Sequence, residues 1–225
     1  MTVLLVLATF AIFLTIDAIL RRRQAAHVPT LVLQSAESTI PPLAEPVWVA
    51  GYQVPDECRF HPGHTWARQI SPDVALVGLD DFARQLLGRA EKMNLPEIGT
   101  WVRQGAAALR LGQNGRSVEM VAPVEGEVVE INRAVAADPH LATDDPFGRG
   151  WLFKVRTPEL GRGLQNLLSG SLARRFMEDS RERMQHSLMA LSGTVLADGG
   201  EPVADFAKHL PDEDWQRLVR EFLLT

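Results

Sequence analysis

Cys58, His61 and His64 fall at three-residue intervals in the stretch DECRFHPGHTW, beside Asp56 and Glu57. A thiol, two imidazoles and two carboxylates this close together form the donor set of a zinc or iron site. Against that, Pro62-Gly63 imposes a turn between the histidines and the spacing matches no zinc motif. The alternative is a capping and packing role at the entrance of a domain. A second place for chemistry is the tip of a hairpin. In AALRLGQNGRSVEMVAPVEGEVVEIN, residues 107–132, Leu109 and Leu111 alternate with Ala108 and Arg110, and Val118 and Met120 oppose Ser117, Glu119 and Val121. That period of two around Asn114-Gly115 predicts a hairpin closed by a two-residue type I′ turn, which needs φ > 0 twice. A tip pushed into solvent is where a carrier domain mounts a prosthetic group. Here the tip holds Gly112, Gln113, Asn114 and Gly115, and none of them can carry one.

Other combinations give no catalytic set. Asp80-Asp81 reads as a helix start, not an acid/base couple. Asp144-Asp145 precedes Pro146-Phe147-Gly148 and reads as turn chemistry. Trp66, Trp101 and Trp151 fall on strand signals and predict core or rim packing. There is no Ser-His-Asp arrangement, no glycine-rich phosphate loop after a strand and no nucleotide signature, so the chain is expected not to be an enzyme. With a net charge of −5 and a pI of about 5.7, nothing favours a nucleic-acid partner. The lone Cys58 forbids an internal disulfide and fits a reducing compartment.

The elements that must position these residues follow an unusual start. Val3 to Leu20 is apolar except for Thr9, Thr15 and Asp17, and Arg21, Arg22 and Arg23 follow at once. At ~1.5 Å per residue the run just reaches across a ~30 Å hydrocarbon core. A secretory signal peptide has its positive charges before the apolar run, the reverse of this order. The arginines predict a single-pass anchor, residues 1–23, in the inner (cytoplasmic) membrane, with the N-terminus out and the remainder in the cytoplasm. Residues 24–57, with Pro29, Pro41, Pro42 and Pro46 among Ser, Thr and Ala, read as a semi-extended linker.

From residue 58 to 160 the pattern is mainly β: strands in HTWARQI and DVALVGL, a short helix DDFARQLLG capped by Asp80 and closed by Gly88, then AEKMNL, TWV, the hairpin and EVVEI. Two Pro-x-x-Gly turns, Pro96 to Gly99 and Pro123 to Gly126, bracket the hairpin. Residues 161–225 form a helical C-terminal extension. Leu172, Phe176, Met184 and Leu188 predict one helical stripe, Asp198-Gly199-Gly200 a tight turn, and Pro211-Asp212-Glu213 the start of a last helix. That helix carries Trp215, Leu218, Val219, Phe222 and Leu223 on one face. Such an ending packs on its own domain or docks a partner, and Trp215, Leu218 and Phe222 are the partner-binding candidates.

About a hundred residues resemble the H-protein of the glycine cleavage system, a lipoyl domain of the barrel-sandwich hybrid type. The resemblance rests on HTWAR, VGLDDFARQLLG, LPEIGTWVRQG, APVEGEVVEIN and above all DPHLATDDPFGRGWLFKV, with Asp145, Pro146, Gly148, Gly150 and Trp151. It implies a lipoyl lysine at the hairpin tip, eight residues before the proline of the next turn. Counted back from Pro123, that position is Gly115. The acidic residue that the family usually carries three positions earlier is Gly112 here. Sliding the alignment does not help, because Lys92, Lys154 and Lys208 are the chain's lysines and none lies near the tip in sequence. Amide attachment needs a primary amine, and Arg116 is a guanidinium that stays protonated.

The resemblance implies a carrier that moves an aminomethyl group on lipoate between the decarboxylase, the aminomethyltransferase and lipoamide dehydrogenase. The missing lysine predicts a chain with no lipoate and no other cofactor, acting as a membrane-tethered adaptor for a protein complex. The alternative is a genuine carrier in glycine decarboxylation, modified at some other residue. A third reading, a periplasmic adaptor subunit, also joins a membrane helix to a lipoyl-like domain. It expects a long helical insertion at the tip, where this chain has a tight turn.

Overall fold

The computed structural model describes residues 45, 47–113, 115–192 and 210–223. The apolar segment 3–20, the turn at 198–200 and Asn114 lie outside the described residues. Among the described residues no helix is long and apolar enough to cross a membrane.

In chain order, strands β1 (Trp48–Val49), β2 (Tyr52–Gln53), β3 (Arg59–His61), β4 (Thr65–Gln69) and β5 (Val74–Leu79) lead to helix α1 (Asp81–Leu87). Strands β6 (Lys92–Asn94), β7 (Trp101–Val102), β8 (Ala107–Gln113), β9 (Arg116–Val121) and β10 (Gly126–Ile131) follow, then the short helices α2 (Arg133–Ala137) and α3 (Leu141–Asp144). The last elements are β11 (Phe153–Arg156), α4 (Leu160–Gln165), the long α5 (Gly170–Ser192) and α6 (Asp212–Leu223). One antiparallel sheet runs β3-β4-β5-β11-β10-β7, a second runs β6-β8-β9, and β1-β2 form a small hairpin. The mainly β reading of residues 58–160 and the helical ending are both as expected.

Local chemistry explains the boundaries. Asp80 caps α1 by accepting from the Ala83 amide at 2.8 Å, and Gly88, at φ +68, stops it while donating to Arg84 O. Phe82, Ala83, Leu86 and Leu87 are then buried on one face. Trp66 on β4 is fully buried, and its indole N–H donates to Leu79 O at 2.7 Å. Trp151 is also buried but Trp101 is 55% exposed, so the three tryptophans divide between core and rim.

Two segments depart from the sequence expectation. The linker does not run to residue 57. β1 and β2 close around Ala50 (φ +52) and Gly51 (φ +86), and Tyr52 and Val54 are buried on the domain. Gln53 N–H donates to Asp81, and Arg181 of α5 donates to Ala50 O at 2.8 Å. On α5 the buried positions are Ala173, Met177, Ser180 and Met184, whereas Leu172 is 63% exposed. Ala and Ser at two of those four positions hid the true stripe, because a small residue can lie closest to the core without looking apolar.

Asn132 joins the end of β10 to the loop before β11. Its Oδ1 accepts from the Ala134 and Val135 amides, capping α2, and its Nδ2 donates to Arg149 O and Trp151 O at 2.8 and 2.6 Å. Asp145 fixes the other side of that loop by accepting from the Gly148 and Arg149 amides at 3.1 and 2.8 Å.

Candidate functional site

The hairpin β8–β9 forms in the predicted register. Gln113 pairs with Arg116, leaving a two-residue turn with Gly115 at φ +75. Leu109, Leu111, Val118 and Met120 are buried, while Arg110 and Glu119 are exposed and joined by an ion pair. The inner face anchors the hairpin in the core and the tip projects outward. A side chain built at Gly115 would meet nothing within 4 Å, so the position is open to solvent. At Gly112 the space is tighter, with Lys92 Cβ at 3.3 Å from where a Cβ would stand.

The tip has neighbours that the sequence did not announce. Strand β6 pairs with β8, setting Lys92 opposite Gly112, and Lys92 lines a shallow recess with Glu91, Gln113, Gly115 and Arg116. Lys92 is exposed, whereas Lys154 is buried, ion-paired to Glu130 at 2.7 Å and stacked over Trp151; Lys208 lies outside the described residues.

On the other side, Arg116 reaches α6. Its Nε donates to Asp212 at 2.8 Å, its Nη2 donates to Leu210 O at 2.7 Å, and the guanidinium lies over the Trp215 ring, 5.4 Å from its centre. Helix α6 packs its stripe on the domain. Trp215, Leu218 and Phe222 are 6%, 0% and 1% exposed, and the Phe222 ring packs at a tilt against Phe82. These three were expected as partner-binding candidates. In the structure they face inward, because an amphipathic helix loses the gain of burying large apolar groups unless its stripe is covered, and the domain itself covers it.

The Cys58, His61 and His64 candidates are brought near one another in chain but not into one coordination sphere. Among the described residues no group of three ligating side chains converges. His64 is fully buried at φ +58, its ring stacked against Phe82 and Phe176, with Nδ1 and Asp80 Oδ2 2.7 Å apart. His61 Nδ1 accepts from the Gly63 amide at 3.0 Å, and burial, with His64 nearby, lowers its pKa. Burial pushes the Cys58 thiol up to about 12, with Arg68 pulling the other way. At neutral pH it is a thiol, which is neither the nucleophilic nor the ligating form. The histidine pattern therefore builds packing at the domain entrance. Asp80, the cap, serves as the hydrogen-bond partner of His64.

A family model described as "Glycine cleavage H-protein" matches residues 58–180, more than half of the chain. The chain belongs to the glycine cleavage H-protein family. It is 39% identical to the glycine cleavage system H protein of Thermobifida fusca over 106 residues, 47% of this chain and 83% of that one. With the glycine cleavage system H protein of Marinobacter nauticus it is 32% identical over 119 residues, 53% of this chain and 91% of that one. A crystal structure of a glycine cleavage system H protein from Mycobacterium marinum is 25% identical, with a TM-score of 0.49 over 56% of this chain and 98% of that one. H-proteins are lipoyl carriers and perform no catalysis of their own. The family match runs to Ser180 and takes in the first half of α5, while α6 lies beyond it.

The lipoyl group of an H-protein does not fit this tip. Gly115 supplies no amine, and the neighbouring Arg116 is held by Asp212, Leu210 and Trp215.

Proposed function

We propose that this chain is an H-protein-type domain without lipoate, held at the membrane by residues 3–20 with its domain in the cytoplasm, and that it works as an adaptor for a protein complex. The observation that carries the reading is Gly115 in a two-residue turn, where the sequence resemblance puts the family lysine. Carrier chemistry needs an amine at that tip, whereas docking needs only a folded surface. The grip of α6 on Arg116 supports the same reading, because it holds the hairpin from its outer strand and suits a fixed surface.

The test is the intact mass of the full chain purified from a host that lipoylates its own proteins. The expected mass is that of the unmodified polypeptide. A lipoyl increment mapping to any residue would sink the adaptor reading.

One observation favours the alternative, a genuine carrier in glycine decarboxylation. Lys92 is exposed and lies across from Gly112, so an amine stands beside the tip even though none stands on it. In that case the increment maps to Lys92 and disappears in Lys92→Arg.

A further inference from the structure

Strand β4 carries a charge on a face built for apolar groups. Side chains alternate along a strand, so Arg68 shares a face with Trp66, and its cross-strand partner is Leu76. Trp66 and Leu76 are fully buried, and Arg68 is 5% exposed. Its Nε meets no hydrogen-bond acceptor, and among the described residues no carboxylate forms an ion pair with it. A buried charge without a partner costs several kcal/mol in general, and folds keep one where a partner arrives from outside.

Arg68 lines a cleft of about 630 Å³ between β3–β4 and the start of α5, within the size range of small-molecule sites. Arg59 and Arg174 line it too, as do Ser169 and Gly170 at the N-terminus of the 23-residue α5. The first turn of α5 has no acidic residue to offset the positive end of its dipole. Arg59 donates to Ser169 Oγ at 3.2 Å and so stands over the helix end. Arg174 is held through Nη2 by Asp56, at 2.9 and 3.2 Å, and its own Nε has no partner. Glu57 lies on the rim. Three guanidinium groups and a helix N-terminus therefore face two carboxylates, and the deepest guanidinium is the one left unmatched.

We propose that this cleft binds a phosphate monoester group. Guanidinium forks and the first-turn amides of a helix are the two protein groups best suited to a tetrahedral oxyanion, and here they converge. The cleft is several times larger than phosphate itself, so the ligand extends beyond the anion. The site is remote in chain from the hairpin tip, and the inference does not depend on whether the chain carries lipoate.

The test uses the full chain in neutral detergent, titrated calorimetrically with inorganic phosphate, glycerol 3-phosphate and acetate at matched ionic strength. Vesicles of phosphatidylcholine with and without phosphatidic acid form a separate arm. Saturable binding of glycerol 3-phosphate, tighter than acetate, is expected. Binding of phosphatidic acid vesicles alone would assign the same phosphate monoester chemistry to a lipid headgroup. Arg68→Met keeps the volume and removes the charge. It should weaken phosphate binding by roughly 30-fold or more while leaving the thermal midpoint of the unliganded protein unchanged or higher. Arg59→Gln, at the rim, should weaken binding by about tenfold without touching the fold and serves if Arg68→Met does not fold. Absence of saturable binding of any phosphate probe, or Arg59→Gln and Arg68→Met binding as well as the wild type, would overturn the proposal.

Discussion

The loop from Asp145 to Trp151 and the tip of the β8–β9 hairpin are both glycine turns inherited from one family, and they are held in opposite ways. At Gly150 a Cβ would stand against the carbonyl oxygens of Leu141 and Asp145, well under 3 Å, and at Gly148 it would press on the Asp145 carboxylate. Asn132 and Asp145 tie that loop down with hydrogen bonds at both ends. At Gly115 a Cβ would meet nothing within 4 Å. One turn is glycine because the fold leaves no room; the other faces open solvent, where only its φ matters. The loop glycines are fixed by backbone and carboxylate oxygens that leave no room for a side chain, whereas Gly115 stands in open space and offers no amine.

The largest effect should come from putting the same methyl group into each turn. Gly150→Ala forces backbone oxygens apart, and rigid backbone relaxes poorly, so a loss of at least about 3 kcal/mol is expected. Gly115→Ala costs only the strain of a non-glycine residue at φ +75, about 1 kcal/mol. Urea denaturation of the two variants side by side measures the difference. Equal losses would break the contrast, by showing that the tip is as constrained as the loop.

These two turns also mark how much was legible in the sequence. Asn114-Gly115 between alternating strands marks the hairpin and its register, and Asp145-Pro146 with Gly148, Gly150 and Trp151 is long enough to name a family. The Asp80 cap and Gly88 stop were readable for the same reason: their signals are local. Asn132 was not singled out, since its four hydrogen bonds join segments seventeen to nineteen residues apart as well as its own helix start. Of the stripe expected on α5, Met184 is buried and Leu172 is exposed, and Ala173 and Ser180 are too small to mark the face that packs. Arg68 sat unnoticed in HTWAR, where an arginine at the end of a strand reads as solvent-exposed. The packing of α6 brings together groups far apart in sequence, such as Arg116 and Trp215, ninety-nine positions apart along the chain. Long-range placement, not local preference, decided each of these.

Helix α6 offers the next test of what holds the tip. Trp215 is buried, carries the Arg116 guanidinium on its ring and belongs to an element beyond the family match. Trp215→Ala should cost about 3 kcal/mol, spent locally by releasing α6 and not by unfolding the sheets. Hydrogen exchange should then speed up roughly 100-fold across residues 212–223 while the amides of β8 and β9 stay protected. If β8 and β9 lose protection together with α6, the hairpin depends on the extension, and the tip was never an independent arm in this chain.

The smallest change in stability should carry the most information about the tip. Gly115→Lys puts an amine at the family position, where the surroundings are open and the cost is the φ +75 strain, roughly 1 kcal/mol. Adding Gly112→Glu supplies the acidic neighbour that the family carries three positions earlier. There the new Cβ would stand 3.3 Å from Lys92 Cβ and 3.6 Å from Arg116 O, so strand β6 must yield by a few tenths of an ångström. The double variant should stay folded and gain a lipoyl increment mapping to residue 115 in a host with an active lipoyl ligase. In the same host the wild type should gain none. Gain by the double variant sharpens the comparison: the turn keeps the geometry of a lipoyl arm, and an amine with its acidic neighbour is what separates it from its relatives. A folded variant that stays unmodified would show that the flanks, with Arg116 drawn toward α6, no longer present the tip to the ligase. The distance between this chain and a working carrier would then span the whole hairpin surface and not one residue.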